Sequence, residues 1–419
     1  MLNLIITSSL PDLICLLLLL LQIPATVILL TRLSKGPSRR PPLEPQSPTP
    51  DLVGICSAIV PTLNEAERIS PCLEGLTRQS YELREIIVVD SYSTDKTPEL
   101  VKSAREKDPR FKLINDEPLP SGWVGRPWAL HNGFLHIIGA KPSEENLTIN
   151  ESNFDKNNTP VEWILGIDAD TQPHPGLVAS LLKCAISENY DLISLSPQFI
   201  LKYPGELWLQ PALLMTLVYR VGPTGTDADS SATVMANGQC FLCRRSVLAK
   251  LGGYTVAKSS FCDDVTLARY AASQGYKVGF LDGAKVIQVR MYEGMKETWE
   301  EWGRSLDLKD ASSKSQIWGD IWLLLSVQGL PIPLLITYLL ISSHLSLTPL
   351  IGQILLGLNS FLVLIRFALC AAIAPSYDRR KALGAWLFWL SPLADPFAFF
   401  RILISALNKP KKWRGRSYQ

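Results

Sequence analysis

The chain has 419 residues, 47% hydrophobic and 19% charged, with a net charge of +2. One hydrophobic core stops growing at about 250 to 300 residues, so this length is enough for one large soluble domain plus something else. The near-neutral balance gives no ground for a nucleic-acid partner, and Cys240 and Cys243, a close cysteine pair, lack a second pair or histidines at zinc-ligand spacing.

From the N-terminus, Leu13 to Leu30 is almost unbroken in aliphatic residues. Roughly 20 such residues cross a bilayer, and this run is too long, and too poor in preceding positive charge, for a cleaved signal peptide. Residues 1–35 therefore read as a transmembrane anchor. Arg32, Lys35, Arg39 and Arg40 follow it and place the next region in the cytoplasm by the positive-inside rule. Residues 36–51 are rich in proline and lack periodicity, which predicts an extended linker.

Short β-rich runs then appear at residues 52–60, 85–90, 111–114, 163–167 and 192–196, with helical spacing from Glu65 and from Thr94. Alternation of this kind predicts an α/β domain over residues 52–316, its mostly parallel sheet flanked by helices. Ligands of such sheets bind beyond the carboxyl ends of the strands. Asn64, Glu65, Asp90, Asp168 and Asp170 all fall there. Residues 141–160, rich in Asn, Ser and Glu, read as a surface loop inserted before the fourth run.

Asp168-Ala169-Asp170 carries the most chemistry, because two carboxylates at a strand tip can hold a divalent cation that grips a diphosphate; the other reading is a solvated turn. In Pro61-Thr62-Leu63-Asn64-Glu65 the polar residues either cap a helix or face a nucleotide. Asp90, at the head of Asp90-Ser91-Tyr92-Ser93-Thr94-Asp95, suits a base or ribose, with Thr94 and Asp95 as caps. Asp263 and Asp264 precede a helical pattern and either cap it or act as base and charge partner.

Residues 204–221 are too apolar for a solvated helix and too short to span, which leaves buried core or an interfacial helix anchored by Trp208 and Tyr219. Further apolar stretches at 321–341, 350–373 and 383–407 make residues 317–408 a membrane region. Pro392, Asp395 and Pro396 predict that the last stretch breaks and returns as a hairpin, which keeps the basic tail 409–419 in the cytoplasm.

Taken in order, PTLNE, VVDSYSTDKT, GWVGRPWALHNG, DAD and CDDVTLA resemble the family 2 glycosyltransferases of the GT-A fold, over residues 57 to about 304. The resemblance implies a nucleotide-sugar donor, UDP-linked in preference and GDP-linked as the alternative, with Mg²⁺ or Mn²⁺ held by Asp170 and Asp168. It implies Asp264 as general base with Asp263 beside it. Donor contacts would come from Pro61, Asn64, Glu65, Asp90, Ser93, Arg126 and Asp168, and from Trp413 and Arg416 in a tail that resembles that of lipid glycosyltransferases. Gly238, Gln239, Trp302 and Arg304 would lie on the acceptor side.

The segment around Gly125-Arg126 resembles membrane-bound, lipid-modifying members, including carotenoid and hopanoid-associated enzymes, which usually have Lys where this chain has Arg126. Ser91 replaces a second acid usual in relatives. The Q-x-x-R-W motif of processive synthases is absent, with Trp299-Glu300-Glu301-Trp302-Gly303-Arg304 in the comparable region, which argues against a polymerase. The expected acceptor is a hydroxyl of a membrane lipid, most narrowly a hydroxylated carotenoid. Sphingolipid, diacylglycerol or hopanoid-related acceptors are the alternatives, and a non-catalytic nucleotide-binding scaffold in the membrane is the rival from another class.

Overall fold

The computed structural model describes residues 10–140, 161–302, 306, 308–341 and 349–408, with the backbone of 412–413 and 416–417. The chain divides into two compact units, a helical one from Met1–Ser38, Leu201–Pro223 and Tyr292–Pro410, and an α/β one from Arg39–Ile200, Thr224–Met291 and Lys411–Gln419.

In the α/β unit, β1 (Cys56–Thr62), β2 (Leu83–Asp90), β3 (Phe111–Asn115), β4 (Trp163–Ile167), β6 (Leu192–Ser196), β8 (Cys240–Arg244) and β9 (Val278–Asp282) form a seven-stranded sheet in the order 3-2-1-4-8-6-9. β1 runs parallel to β2 on one side and to β4 on the other, so the strand order reverses at β1. That reversal opens a crevice at the carboxyl edge, where Thr62, Asp90 and Ile167 end their strands. Ala58, Ile59 and Val60 are fully buried, as expected of a strand covered on both faces.

The sheet is mostly parallel, as expected, and its departure is β8, which is antiparallel to both β4 and β6. The departure matters, because an antiparallel neighbour brings its N-terminal end to the carboxyl edge of β4. Asp168 N donates to Gln239 O at 3.3 Å there. A smaller sheet joins β5 (Thr171–Pro173) antiparallel to β10 (Ile287–Val289), which runs parallel to β7 (Gln198–Ile200).

The helix Gly125–Ile137 lies against β1 so closely that a Cβ on Gly133 would overlap the Ile59 side chain, and this seating fixes where the first turn of the helix presents Arg126. The first helix after β1 begins at Ser70, not at Glu65, because Asn64 adopts φ +55° and residues 65–69 form a turn. The proline-rich segment is extended and fastened to this unit, through Arg40 N to Gly225 O (2.8 Å), Leu43 N to Asp282 O (2.7 Å) and Thr49 N to the Glu82 carboxylate (2.8 Å).

In the helical unit, Leu10–Ser38, Leu350–Ser376 and Ala385–Leu407 are long and apolar enough to cross a membrane, and Lys314–Gly329 with Pro331–Leu340 makes a fourth candidate bent by 42°. The expected hairpin in 383–407 is not formed: residues 385–394 continue as a 3₁₀ helix into the α-helix Asp395–Leu407. Pro396 sits in the first turn of that helix, where a missing N–H costs nothing, and Asp395 is answered by Arg366, whose Nε donates to both carboxylate oxygens at 3.0 and 2.8 Å. Gln22 and Asn359 exchange reciprocal amide bonds of 2.9 and 3.1 Å, joining two of the apolar helices. The helix Pro204–Val221 packs inside this unit, with Leu207, Leu209, Leu213 and Tyr219 buried, which is the core reading of that segment.

Candidate active site

The loops after β1 and β2 are tied to each other. Asn64 Oδ1 accepts from Thr94 N at 2.8 Å, Asn64 N donates to Ser93 Oγ at 2.9 Å, and Glu65 N donates to Thr97 Oγ1 at 2.8 Å. Asn64 thus braces the neighbouring loop and caps no helix of its own. Asp95 accepts from Thr97 N at 2.9 Å and Ala66 N at 3.0 Å, a capping and cross-linking part. The Asp90 carboxylate is held by Ser93 N at 2.9 Å, Ser93 Oγ at 2.5 Å and Thr62 Oγ1 at 3.2 Å.

Between these loops and β4 lies an open cleft lined by Pro61, Thr62, Leu63, Glu65, Ser91, Gly125, Arg126, Ala129, Asp168 and Ala169. Ser91 faces it in place of the second acid, and its hydroxyl donates to the Asp116 carboxylate at 2.6 Å. Asp116 was not foreseen from the sequence. Its signal was its place one residue past β3, on the same carboxyl edge.

Arg126 anchors the floor. Its Nε and Nη2 lie 2.9 Å from Asp168 Oδ1, Nη1 pairs with Asp263 Oδ2, and Nη2 donates to Gly238 O at 2.7 Å. Gly238 N in turn donates to Asp264 Oδ2 at 2.6 Å, while Asp264 Oδ1 accepts from Val265 N at 2.9 Å. Asp168, Asp263, Asp264 and Gly238, far apart in sequence, therefore meet around one guanidinium. A second, smaller pocket of about 10 Å³ adjoins it, lined by Arg126, Gly238, Tyr254, Asp263 and Asp264 among others.

Burial dominates the electrostatics. It would lower Arg126, yet Asp168, Asp263 and Asp264 outweigh it and keep the cation charged, above its ordinary value. Burial, reinforced by Asp168, pushes Asp170 up to about 7, and burial raises Asp263 to about 7 against the pull of Arg126. Asp264 is raised by burial too, but it remains partly exposed, whereas Asp263 is buried on Arg126.

Asp170 Oδ1 is buried without a hydrogen-bond partner. No group of three or more His, Cys, Asp or Glu suited to a metal occurs among the described residues. A hard cation that shares its shell with substrate phosphates needs only one or two carboxylates, so an orphaned carboxylate oxygen beside Asp168 fits it. Arg68, also unforeseen, contributes a positive field at Asp170 and donates to Met291 O at 3.2 Å.

Gln239 is buried with its N–H on Asn237 Oδ1 at 2.9 Å. Trp302 is buried in the helical unit, its ring 6.4 Å from that of Tyr292. Arg304, the 141–160 loop and the side chains of Trp413 and Arg416 lie outside the described residues. Of the tail, Lys412–Trp413 and Arg416–Ser417 pair as two short antiparallel strands.

The chain matches the family model of glycosyl transferase family 2 over residues 57–140 and that of glycosyl transferase family group 2 over residues 163–399, more than half its length. It belongs to glycosyl transferase family group 2. Curated relatives of this group 2 chain include the 4,4'-diaponeurosporenoate glycosyltransferase of Staphylococcus haemolyticus (strain JCSC1435), 24% identical over 62% of this chain and 63% of the relative. Another is the probable glycosyltransferase YdaM of Bacillus subtilis (strain 168), 24% identical over 59% of this chain and 52% of the relative. The match thus spans less than two thirds of either relative. Among solved structures, a mannosyltransferase of Pyrobaculum calidifontis in complex with GDP-Man and Mn²⁺ superposes with a TM-score of 0.47 at 19% identity, covering 94% of this chain and 98% of that one.

Proposed function

We propose that this family member is an inverting glycosyltransferase that moves a sugar from a nucleotide-sugar donor to a hydroxyl of a membrane lipid. The observation that carries the reading is the meeting of Asp168, Asp263, Asp264 and Gly238 around Arg126, beside a cleft opened by the strand reversal at β1. The cleft takes the nucleoside diphosphate, with Pro61, Glu65 and Ser91 on its walls. Asp90, Asn64 and Ser93 hold the walls in place by the bonds they make to one another.

Asp264 receives the proton of the acceptor hydroxyl. The acceptor oxygen bonds to the anomeric carbon as the bond from that carbon to the phosphate oxygen breaks, and the diphosphate leaves with the electron pair. Asp263, paired with Arg126 in the free chain, sets the charge around the base. A Mg²⁺ or Mn²⁺ ion on Asp170 and Asp168 would supply charge neutralisation for the leaving diphosphate. UDP is the favoured nucleotide and GDP the alternative.

Support for a lipid acceptor comes from the apolar helical unit of the same chain and from the relative named for a diaponeurosporenoate. A hydroxylated carotenoid is the narrow substrate in this reading, although the substrate in the relative's name is a carboxylate; the catalytic domain faces the cytoplasm on the strength of Arg32, Lys35, Arg39 and Arg40. The test is to incubate membranes bearing the protein with Mn²⁺, labelled sugar nucleotides and a total lipid and pigment extract, and to resolve products by mass. A new glycolipid that vanishes in Asp264→Asn supports the reading. Failure with every donor, or a wild type equal to Asp264→Asn, returns the chain to the scaffold reading.

A further inference from the structure

Arg126 lines both the larger cleft, with Asp168, and the smaller cavity, with Asp263 and Asp264. Its guanidinium spends itself on two carboxylates and the Gly238 carbonyl, with the side chain only 13% exposed. A cation so held neutralises Asp168, two positions before the unpartnered Asp170 oxygen. Two cations sharing one carboxylate at this depth repel each other strongly, because little water screens them.

We propose, resting on the donor reading above, that Arg126 couples donor binding to metal binding and to release of the base pair of acids. Before the donor arrives, Arg126 is the counter-ion of Asp168 and Asp263. The donor's diphosphate supplies a more highly charged anion, whose paired oxygens suit the planar guanidinium fork. Once the guanidinium moves to it, Asp168 becomes available to a divalent cation and Asp263 no longer shares its charge. Metal alone therefore binds weakly, and each ligand tightens the other by the same factor.

The experiment measures Mn²⁺ binding to the detergent-solubilised full chain, by electron paramagnetic resonance of free Mn²⁺ and by calorimetry, with and without UDP or GDP as the probe. Catalysis does not enter the readout. For Arg126→Gln, Mn²⁺ alone is expected to bind several-fold to about tenfold tighter than in wild type, and the tightening by nucleoside diphosphate to shrink by a similar factor, within the usual range of site coupling.

Gly238→Ala provides a second variant that keeps the charge: its Cβ would overlap Arg126 Nη2 and come within 2.7 Å of Cζ, pushing the guanidinium off its seat. It is expected to shift Mn²⁺ binding in the same direction. Unchanged or weaker Mn²⁺ binding in both variants, with the diphosphate effect intact, overturns the coupling and leaves the glycosyltransferase reading standing. No Mn²⁺ binding to wild type in any condition overturns the coupling together with the metal assignment.

Discussion

Replacing Asp264 with Asn separates chemistry from binding. The carboxylate accepts from Gly238 N at 2.6 Å and Val265 N at 2.9 Å, one bond on each oxygen. An amide can present its oxygen to only one of these donors, so its NH₂ must face the other N–H. The loss of one bond to a charged acceptor costs about 1.5 to 3 kcal/mol, toward the lower figure because Asp264 is partly exposed. Arg126 keeps Asp168 and Asp263, so the donor cleft is expected to hold nucleotide within about twofold of wild type. Loss of the general base removes about 10² to 10⁴ in turnover, or roughly 3 to 5.5 kcal/mol of barrier. Single-turnover transfer from a labelled donor, paired with calorimetric titration of nucleoside diphosphate and a melting curve, reads the three effects apart. Turnover above a tenth of wild type, or donor affinity that falls as far as turnover does, refutes the assignment of the base.

Four further predictions address other parts of the chain. Asp170→Ala removes the orphaned carboxylate and is expected to weaken Mn²⁺-dependent nucleotide binding by tenfold or more, which calorimetry with and without chelator checks. Ser91→Ala takes one hydroxyl donor from the buried Asp116 carboxylate and should lower stability by about 1.5 to 3 kcal/mol in a denaturation series. Burial lowers His131 from 6.5 to about 4, so the unfolded chain binds the proton first as pH falls. Its contribution is complete above about pH 6.5 and disappears as pH drops to about 4, a loss of about 3 kcal/mol that His131→Phe should remove from the acid limb of the melting curve. In the membrane region, Arg366→Met strands Asp395 and should cost about 3 to 5 kcal/mol, while Arg366→Met with Asp395→Leu should recover most of it in thermal denaturation.

The parallel half of the sheet was legible because β1, β2, β3 and β4 are short apolar runs whose period and spacing are local properties of the chain. The edge rule that points to Asp90 and Asp168 covers Asp116 as well, one residue past the end of β3. β8 was not legible, since Cys240–Arg244 carries no mark of direction and its antiparallel pairing depends on β4 and β6 on either side. Asp395 likewise reads as a breaker in isolation. Its partner Arg366 lies 29 residues away, and only the folded chain brings that cation to its carboxylate.

By itself the sequence determined which residue types stand at strand ends: carboxylates at 168 and 170, a polar loop after Pro61, a paired acid before a helix, and apolar stretches at both ends of the chain. These follow from local hydropathy and backbone preference, which act within a few residues. Only the tertiary structure decided that Arg126 binds Asp168 and Asp263 at once, that Gly238 reaches Asp264 through its own N–H, and that Ser91 turns its hydroxyl to Asp116. Those contacts join residues 25 to 137 positions apart, and their energies depend on burial and direction that the chain acquires only when the sheet is assembled.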